Sequence, residues 1–144
     1  MKKVNVIYWI LTGLFAFVML GSAIPDLLSV SIAIKGFKDI GLPASLLPFL
    51  GASKALGVLA ILIPGFPRLK EWAYAGLTFD LIGAFYLIIA SGKPASNWAP
   101  MPILLLLAVA AYMTYHQRMK AMLANKDSSI VTDKKLTLVR PIAV

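Results

Sequence analysis

Four stretches of this chain are each long and apolar enough to cross a bilayer, and nothing else in its 144 residues restricts the fold as strongly. A helix needs about 20 apolar residues to traverse a hydrocarbon core of ~30 Å. The first run, residues 4–24, carries no charge. The second, from about residue 46 to 63, has Lys54 as its only charge, and Pro48 falls in its first turn, where proline is tolerated. The third, 72–90, is interrupted only by Asp80, and the fourth, 99–115, is charge-free. Each must be helical, because a lone strand in lipid leaves its backbone groups unpaired. The sequence therefore predicts an all-α polytopic membrane protein, a bundle of four transmembrane helices.

Composition agrees. The chain is 60% hydrophobic and 14% charged, with a mean hydropathy of +0.84, whereas a soluble domain is roughly 45–50% apolar and about 25% charged. That excludes disorder and argues against a soluble enzyme. The length suits one domain. With no Cys, disulfides, zinc-thiolate sites and thiol redox chemistry are excluded, and a single His rules against a bis-imidazole haem or a His-rich metal cluster. The balance of +8 is not a nucleic-acid signature, since most of it follows the bias of basic residues to one membrane face. No Gly-rich phosphate loop, nucleophile elbow or acid–base carboxylate pair is present.

Breakers separate the spans: Pro25, Gly41 and Pro43, then Pro64, Gly65 and Pro67, then Gly92, Pro94, Pro100 and Pro102. Ten lysines and arginines fall on one side (Lys2, Lys3, Arg68, Lys70 and six in the tail) and three on the other (Lys35, Lys38, Lys93). The positive-inside rule then places both termini in the cytoplasm. Trp72 and Tyr74, and Trp98 with Tyr112 and Tyr115, lie near span ends, as interfacial anchors do. Lys2-Lys3, the greasy run and Gly21-Ser22-Ala23 also fit a cleaved signal peptide, but the run exceeds the usual ~7–15 residues and Pro25 would follow closely after the cut. Between the first two spans, Val30, Ala33, Ile34, Phe37 and Ile40 recur at helical spacing, which predicts an amphipathic outer helix or a bent continuation past Pro25. Residues 1–124 form the membrane domain. Residues 125–144, with short β-prone pieces and no core to join, are expected to be a flexible cytoplasmic tail whose basic cluster could meet anionic lipid headgroups.

Lys54 and Asp80 are the informative residues, because each costs roughly 2.5–3.5 kcal/mol at mid-membrane and neither should face lipid. Lys54 lies ten residues before Pro64 and Asp80 nine after Glu71, so both sit ~14–15 Å above the same boundary. Spans joined by a short turn should be neighbours, which makes an ion pair the simplest arrangement. Gly51 and Gly57 flank Lys54 at three residues either way, and Gly76, Gly83 and Ala84 flank Asp80. Small residues of this kind mark helix contact faces. Asn5, Thr12, Met19 and Asp26 recur every seven residues as a third polar stripe; Asp26, near the outer boundary, is read as a helix-end residue and is kept with Lys54 and Asp80 as a candidate for the polar site. His116 is expected to be an ordinary interfacial side chain. Two readings of the pair stay open: it fixes the register of the bundle, or it lines a pocket for a small polar head, such as a quinone carbonyl, or for a proton.

The run Gly41-Leu42-Pro43, then Gly51-Ala52-Ser53-Lys54-Ala55-Leu56-Gly57, closed by Pro64-Gly65, resembles the second-span signature of the DoxX-like membrane proteins. Lys70-Glu71-Trp72-Ala73-Tyr74-Ala75-Gly76, continuing to Asp80 and Gly83-Ala84, is similar to the third-span signature of one bacterial branch, as is Ser22-Ala23-Ile24-Pro25-Asp26 at the end of the first. The resemblance covers roughly residues 4–115. It implies a small four-helix fold in the bacterial cytoplasmic membrane and an accessory or redox-associated subunit, with quinone as the cofactor to consider and a membrane redox complex or a second copy as partner. Lys54 stands where the wider family often has Glu, and the branch's His and outer acid fall here on Ile88 and Lys93, so the resemblance does not extend to outer-side chemistry needing those groups. Alternatives are a structural or assembly protein, or a small-molecule or proton transporter acting as an oligomer. An independent enzyme is the least favoured reading.

Overall fold

A computed structural model describes residues 2–139, with side-chain surroundings as far as residue 135. Its elements are α1 (Lys2–Leu27), α2 (Ser31–Asp39), a short 3₁₀ turn (Ala44–Leu46), α3 (Leu47–Leu62), α4 (Pro67–Ala90), α5 (Ala95–Trp98) and α6 (Met101–Val139). No strand occurs among the described residues. Four of the helical stretches are long and apolar enough to cross a membrane, at 2–27, 44–62, 67–90 and within 95–135. The chain is thus a multi-pass, all-helical membrane protein.

The spans close into a ring. α1 packs most extensively on α3 and next on α6, α3 also packs on α4, and α4 completes the ring on α6. Because successive spans alternate in direction, the start of α1 and the end of the α6 span share one end of the bundle. Arg118 of α6 lies there, 4.7 Å from the ring of Tyr8 and 5.7 Å from that of Trp9. The opposite end carries α2. The core runs along the middle: Tyr8, Phe15 and Met19 of α1, Val58 and Ile61 of α3, Tyr74, Leu77 and Leu81 of α4, and Ala108, Ala111 and Tyr115 of α6. Lipid-directed side chains such as Phe17, Leu56, Trp72, Phe79 and Leu106 remain exposed on the outside, as expected where hydrocarbon is the solvent.

Local chemistry sets the ends. α1 does not stop at Pro25, whose missing N–H merely frees the carbonyl of Gly21. It ends at Leu27, and Ser29, with a positive φ of 49°, turns the chain into α2. Gly65, at φ 100°, makes the tight turn between α3 and α4 that an L side chain would strain. Pro67 opens α4 in its first turn. Of the two readings of this segment the separate helix holds: α2 turns Ala33, Ile34 and Phe37 half inward, with its lysines exposed. Ile40, just past its end, is half-buried too, whereas Val30 before it is exposed.

Two expectations change. Tyr74 and Tyr115 are core residues, 2% and 4% exposed, rather than interfacial anchors. Their hydroxyls find partners inside: Tyr74 pairs with Thr12 at 3.0 Å and Tyr115 donates to the Pro67 carbonyl at 3.4 Å. A buried phenol is tolerated when its oxygen is satisfied. The β-prone pieces of the tail also differ, since α6 continues past the span to Val139 and carries them as helix. Between Pro102 and Pro141 there is neither Gly nor Pro, so nothing ends the helix the span has nucleated.

Candidate functional site

Three spans deliver three charges to one place near the α2 end. Asp26 sits in the last turn of α1, Lys54 two turns into α3, and Asp80 past the middle of α4. The Lys54 ammonium donates to Asp26 Oδ2 at 2.9 Å and stands 3.4 Å from Asp80 Oδ2. All three side chains are largely withdrawn from the surface, with 12% of Lys54, 12% of Asp26 and 20% of Asp80 accessible. Lys54 therefore bridges two carboxylates. Asp26 lies at the end of its helix, as read from sequence, but its carboxylate turns inward and is the nearer partner. The lysine's four-carbon stem explains this, because it can carry the ammonium towards the α2 end as well as sideways. Depth measured only from the opposite boundary does not register that reach.

Glycine makes the approach possible. A Cβ on Gly51 would stand 2.5 Å from the Leu27 nitrogen and 2.9 Å from the Ala23 carbonyl oxygen, so α3 can lie against the last turn of α1 only with hydrogen there. Gly57 meets the Leu77 side chain of α4 at 3.0 Å on the same measure. Gly76 and Gly83, expected on a packing face, differ: a Cβ at either would touch nothing within 4 Å among the described residues. α4 packs instead through Tyr74, Leu77 and Leu81, which leaves both glycines exposed. In the seven-residue stripe of α1, Thr12, Met19 and Asp26 are buried and Asn5 is exposed.

Two cavities meet at Lys54. One, of about 510 Å³, is a groove between α3 and α4 walled by Phe49, Leu50, Leu56, Leu69, Trp72 and Leu77, with Gly76, Ser53, Lys54 and Asp80 also lining it. The other, of about 320 Å³, is a vestibule at the α2 end lined by Ser22, Asp26, Phe37, Asp39, Lys54, Lys93 and Asn97 among others. Asp80 borders only the groove and Asp26 only the vestibule, while Lys54 borders both. At the vestibule, Lys93 of the α4–α5 connection donates to Asp39 at the end of α2 at 2.7 Å. The Lys93 ammonium, through that bond and its charge, holds the Asp39 carboxyl below its ordinary 3.8. The clamp is therefore present above the usual carboxylate range and is lost only as pH falls through the lowered value.

A second polar cluster lies at the terminal end, and sequence reasoning missed it by treating Lys70 as a loop charge. Lys70 is 5% exposed. Its ammonium donates to the Ile61 carbonyl at 2.8 Å and to the Tyr8 hydroxyl at 3.2 Å, with the Tyr115 ring 5.9 Å away. Ile61 belongs to the last turn of α3, whose carbonyls lack helical partners and carry partial negative charge. Lys70 thus caps α3 from the first turn of α4. The available signal was its position, a cation just beyond a helix end and a tight turn. His116 is half-exposed, 3.9 Å from Glu71, in keeping with an interfacial side chain.

Chemically, the triad can orient a polar group and exchange protons. Among the described residues, no group of three His, Cys, Asp or Glu could hold a metal ion. The model of the DoxX-like family matches residues 10–111, a stretch containing Asp26, Lys54 and Asp80. No curated protein and no solved structure matches the chain.

Proposed function

The chain belongs to the DoxX-like family, and from that premise we propose that it is an accessory, redox-associated subunit of the bacterial cytoplasmic membrane that holds the polar head of an apolar molecule, a quinone being the model ligand, beside Lys54 and Asp80. The observation that carries this reading is the groove. It is walled mostly by apolar side chains, is also lined by the polar Ser53, Lys54 and Asp80, and is bordered by the exposed side chains of Leu56 and Trp72. Ligand sites of this kind are mostly apolar with a few placed polar groups that fix orientation. A quinone carbonyl can accept from the Lys54 ammonium while its tail follows the α3–α4 walls. In this reading the terminal end faces the cytoplasm and α2 the outside, which the distribution of basic residues supports. Partners in this reading are a membrane redox complex or a second copy of the chain.

Gly76 provides the test, because it lies on the groove and has open space where a side chain would go. Wild type, Gly76→Leu and Gly83→Leu are reconstituted in nanodiscs, and binding of a short-tailed quinone is followed by quenching of Trp72 fluorescence. Saturable binding is expected in wild type and Gly83→Leu, and at least about tenfold weaker binding in Gly76→Leu, since filling an apolar site removes ~1.4 kcal/mol or more. Equal binding by all three variants, or none by wild type, defeats the reading.

The compensation of Lys54 by two carboxylates also favours a structural role, in which the triad specifies how α1, α3 and α4 pack. In that case purified protein retains no quinone or other amphiphile detectable by mass spectrometry.

A further inference from the structure

The triad does not balance. Asp26 and Asp80 face a single ammonium, and the neighbouring Lys93–Asp39 pair is neutral in itself, so one negative charge is left over. No other residue lining the two cavities corrects this: Lys35 of α2 acts on Asp39 through its charge but lines neither cavity. α5 contributes neutral Asn97 to the vestibule, and α6 lines neither cavity. A net charge at this depth in a membrane is costly and is relieved by neutralisation. The two carboxylates are also unequal. Asp26 receives a hydrogen bond from Lys54 at 2.9 Å, whereas Asp80 stands at 3.4 Å and borders the apolar groove.

We propose that Asp26, Lys54 and Asp80 form a proton-loading site, holding one exchangeable proton on the Asp80 carboxyl and filled from the α2 end through the vestibule. Hydronium in the vestibule protonates Asp26: an O–H bond of hydronium breaks, a carboxyl O–H forms, and the triad passes from one negative charge to none. Lys54 then gives an N–H proton to Asp80 and regains one from Asp26, so the proton crosses from the vestibule side to the groove side with no electron moved. Lys54 serves this transfer because it is the residue that borders both cavities and its ammonium lies between the two carboxylates. The Lys93–Asp39 clamp lies along the route and sets how fast water reaches Asp26. None of this depends on what occupies the groove.

Infrared spectroscopy of the full chain in liposomes tests it, helped by there being only six acidic residues, of which Asp26 and Asp80 alone lie in the site. At neutral pH wild type should show the carbonyl band of a protonated carboxylic acid, equivalent to about one group per chain, that shifts in D₂O. Asp80→Asn should abolish it. Asp26→Asn should abolish it too, since removing that carboxylate leaves Lys54 and Asp80 balanced. Lys54→Gln should roughly double it, and Lys93→Ala should speed its exchange into D₂O. The measurement on wild type needs no variant to fold. Absence of the band in wild type, or its survival in both Asn variants, overturns the proposal.

Discussion

Lys54 stands between two carboxylates, so removing it and removing a partner are not equivalent. Asp80→Asn leaves Lys54 paired with Asp26, whereas Lys54→Met leaves two carboxylates facing each other. Breaking a buried ion pair by deleting one partner costs about 3–5 kcal/mol, and Lys54→Met should approach that figure while Asp80→Asn stays well below it. Were this a simple pair, exchanging Lys54→Asp with Asp80→Lys would restore stability. In the triad, the exchange sets an aspartate at position 54 against Asp26, and the double variant should remain destabilised. Unfolding by denaturing detergent in mixed micelles, followed by circular dichroism, measures all three. Full recovery in the double variant would show that Asp26 is energetically idle. Depth counting from residue numbers brings Lys54 and Asp80 to a common level, but it treats side chains as points and so does not tell which carboxylate the Lys54 stem reaches.

At the scale of elements, two glycines of the same sequence character have opposite roles. Gly51 lets α3 lie on the end of α1, which is what presents Asp26 to Lys54, whereas Gly83 faces open space. Gly51→Ala should therefore cost about 1–3 kcal/mol, the usual range for overpacking. Gly83→Ala should be neutral or stabilising by up to ~1 kcal/mol, because Ala is the better helix former. Thermal unfolding in one detergent decides between them, and equal midpoints would contradict the packing described. The stripe of small residues is legible in the sequence. Which member meets a backbone is not, because that depends on the rotation of each helix about its axis. The same holds for Tyr74 and Tyr115, whose positions near span ends read equally well as anchors or as core.

For the whole molecule, the even number of spans puts both termini at one end, and the bias of basic residues to that end predicts, by the positive-inside rule, that it faces the cytoplasm. The chain has no cysteine, so single replacements report topology cleanly. Lys38→Cys on α2 should react with a membrane-impermeant maleimide in intact cells, and Lys126→Cys on the extension of α6 should react only after permeabilisation. The opposite pattern would invert the bundle and place the vestibule in the cytoplasm. That extension projects well beyond the span, ~1.5 Å per residue as far as Val139, and carries as helix the pieces that read as β-prone in the sequence.

Hydropathy alone determined the solvent, the four crossings and their order, because a bilayer admits only backbone that bonds to itself and only side chains that tolerate oil. Lys54 and Asp80 were conspicuous for the same reason: charge in an apolar run needs a partner. What the tertiary structure decided was the threefold partnership, with the Asp26 carboxylate of α1 as the nearer partner and Lys54 bordering two cavities, together with Lys70 drawn inward to cap α3. Those arrangements depend on helix rotation and on the reach of a flexible side chain. Both are set by how neighbouring helices fit, and a linear pattern of residues does not encode that fit one span at a time.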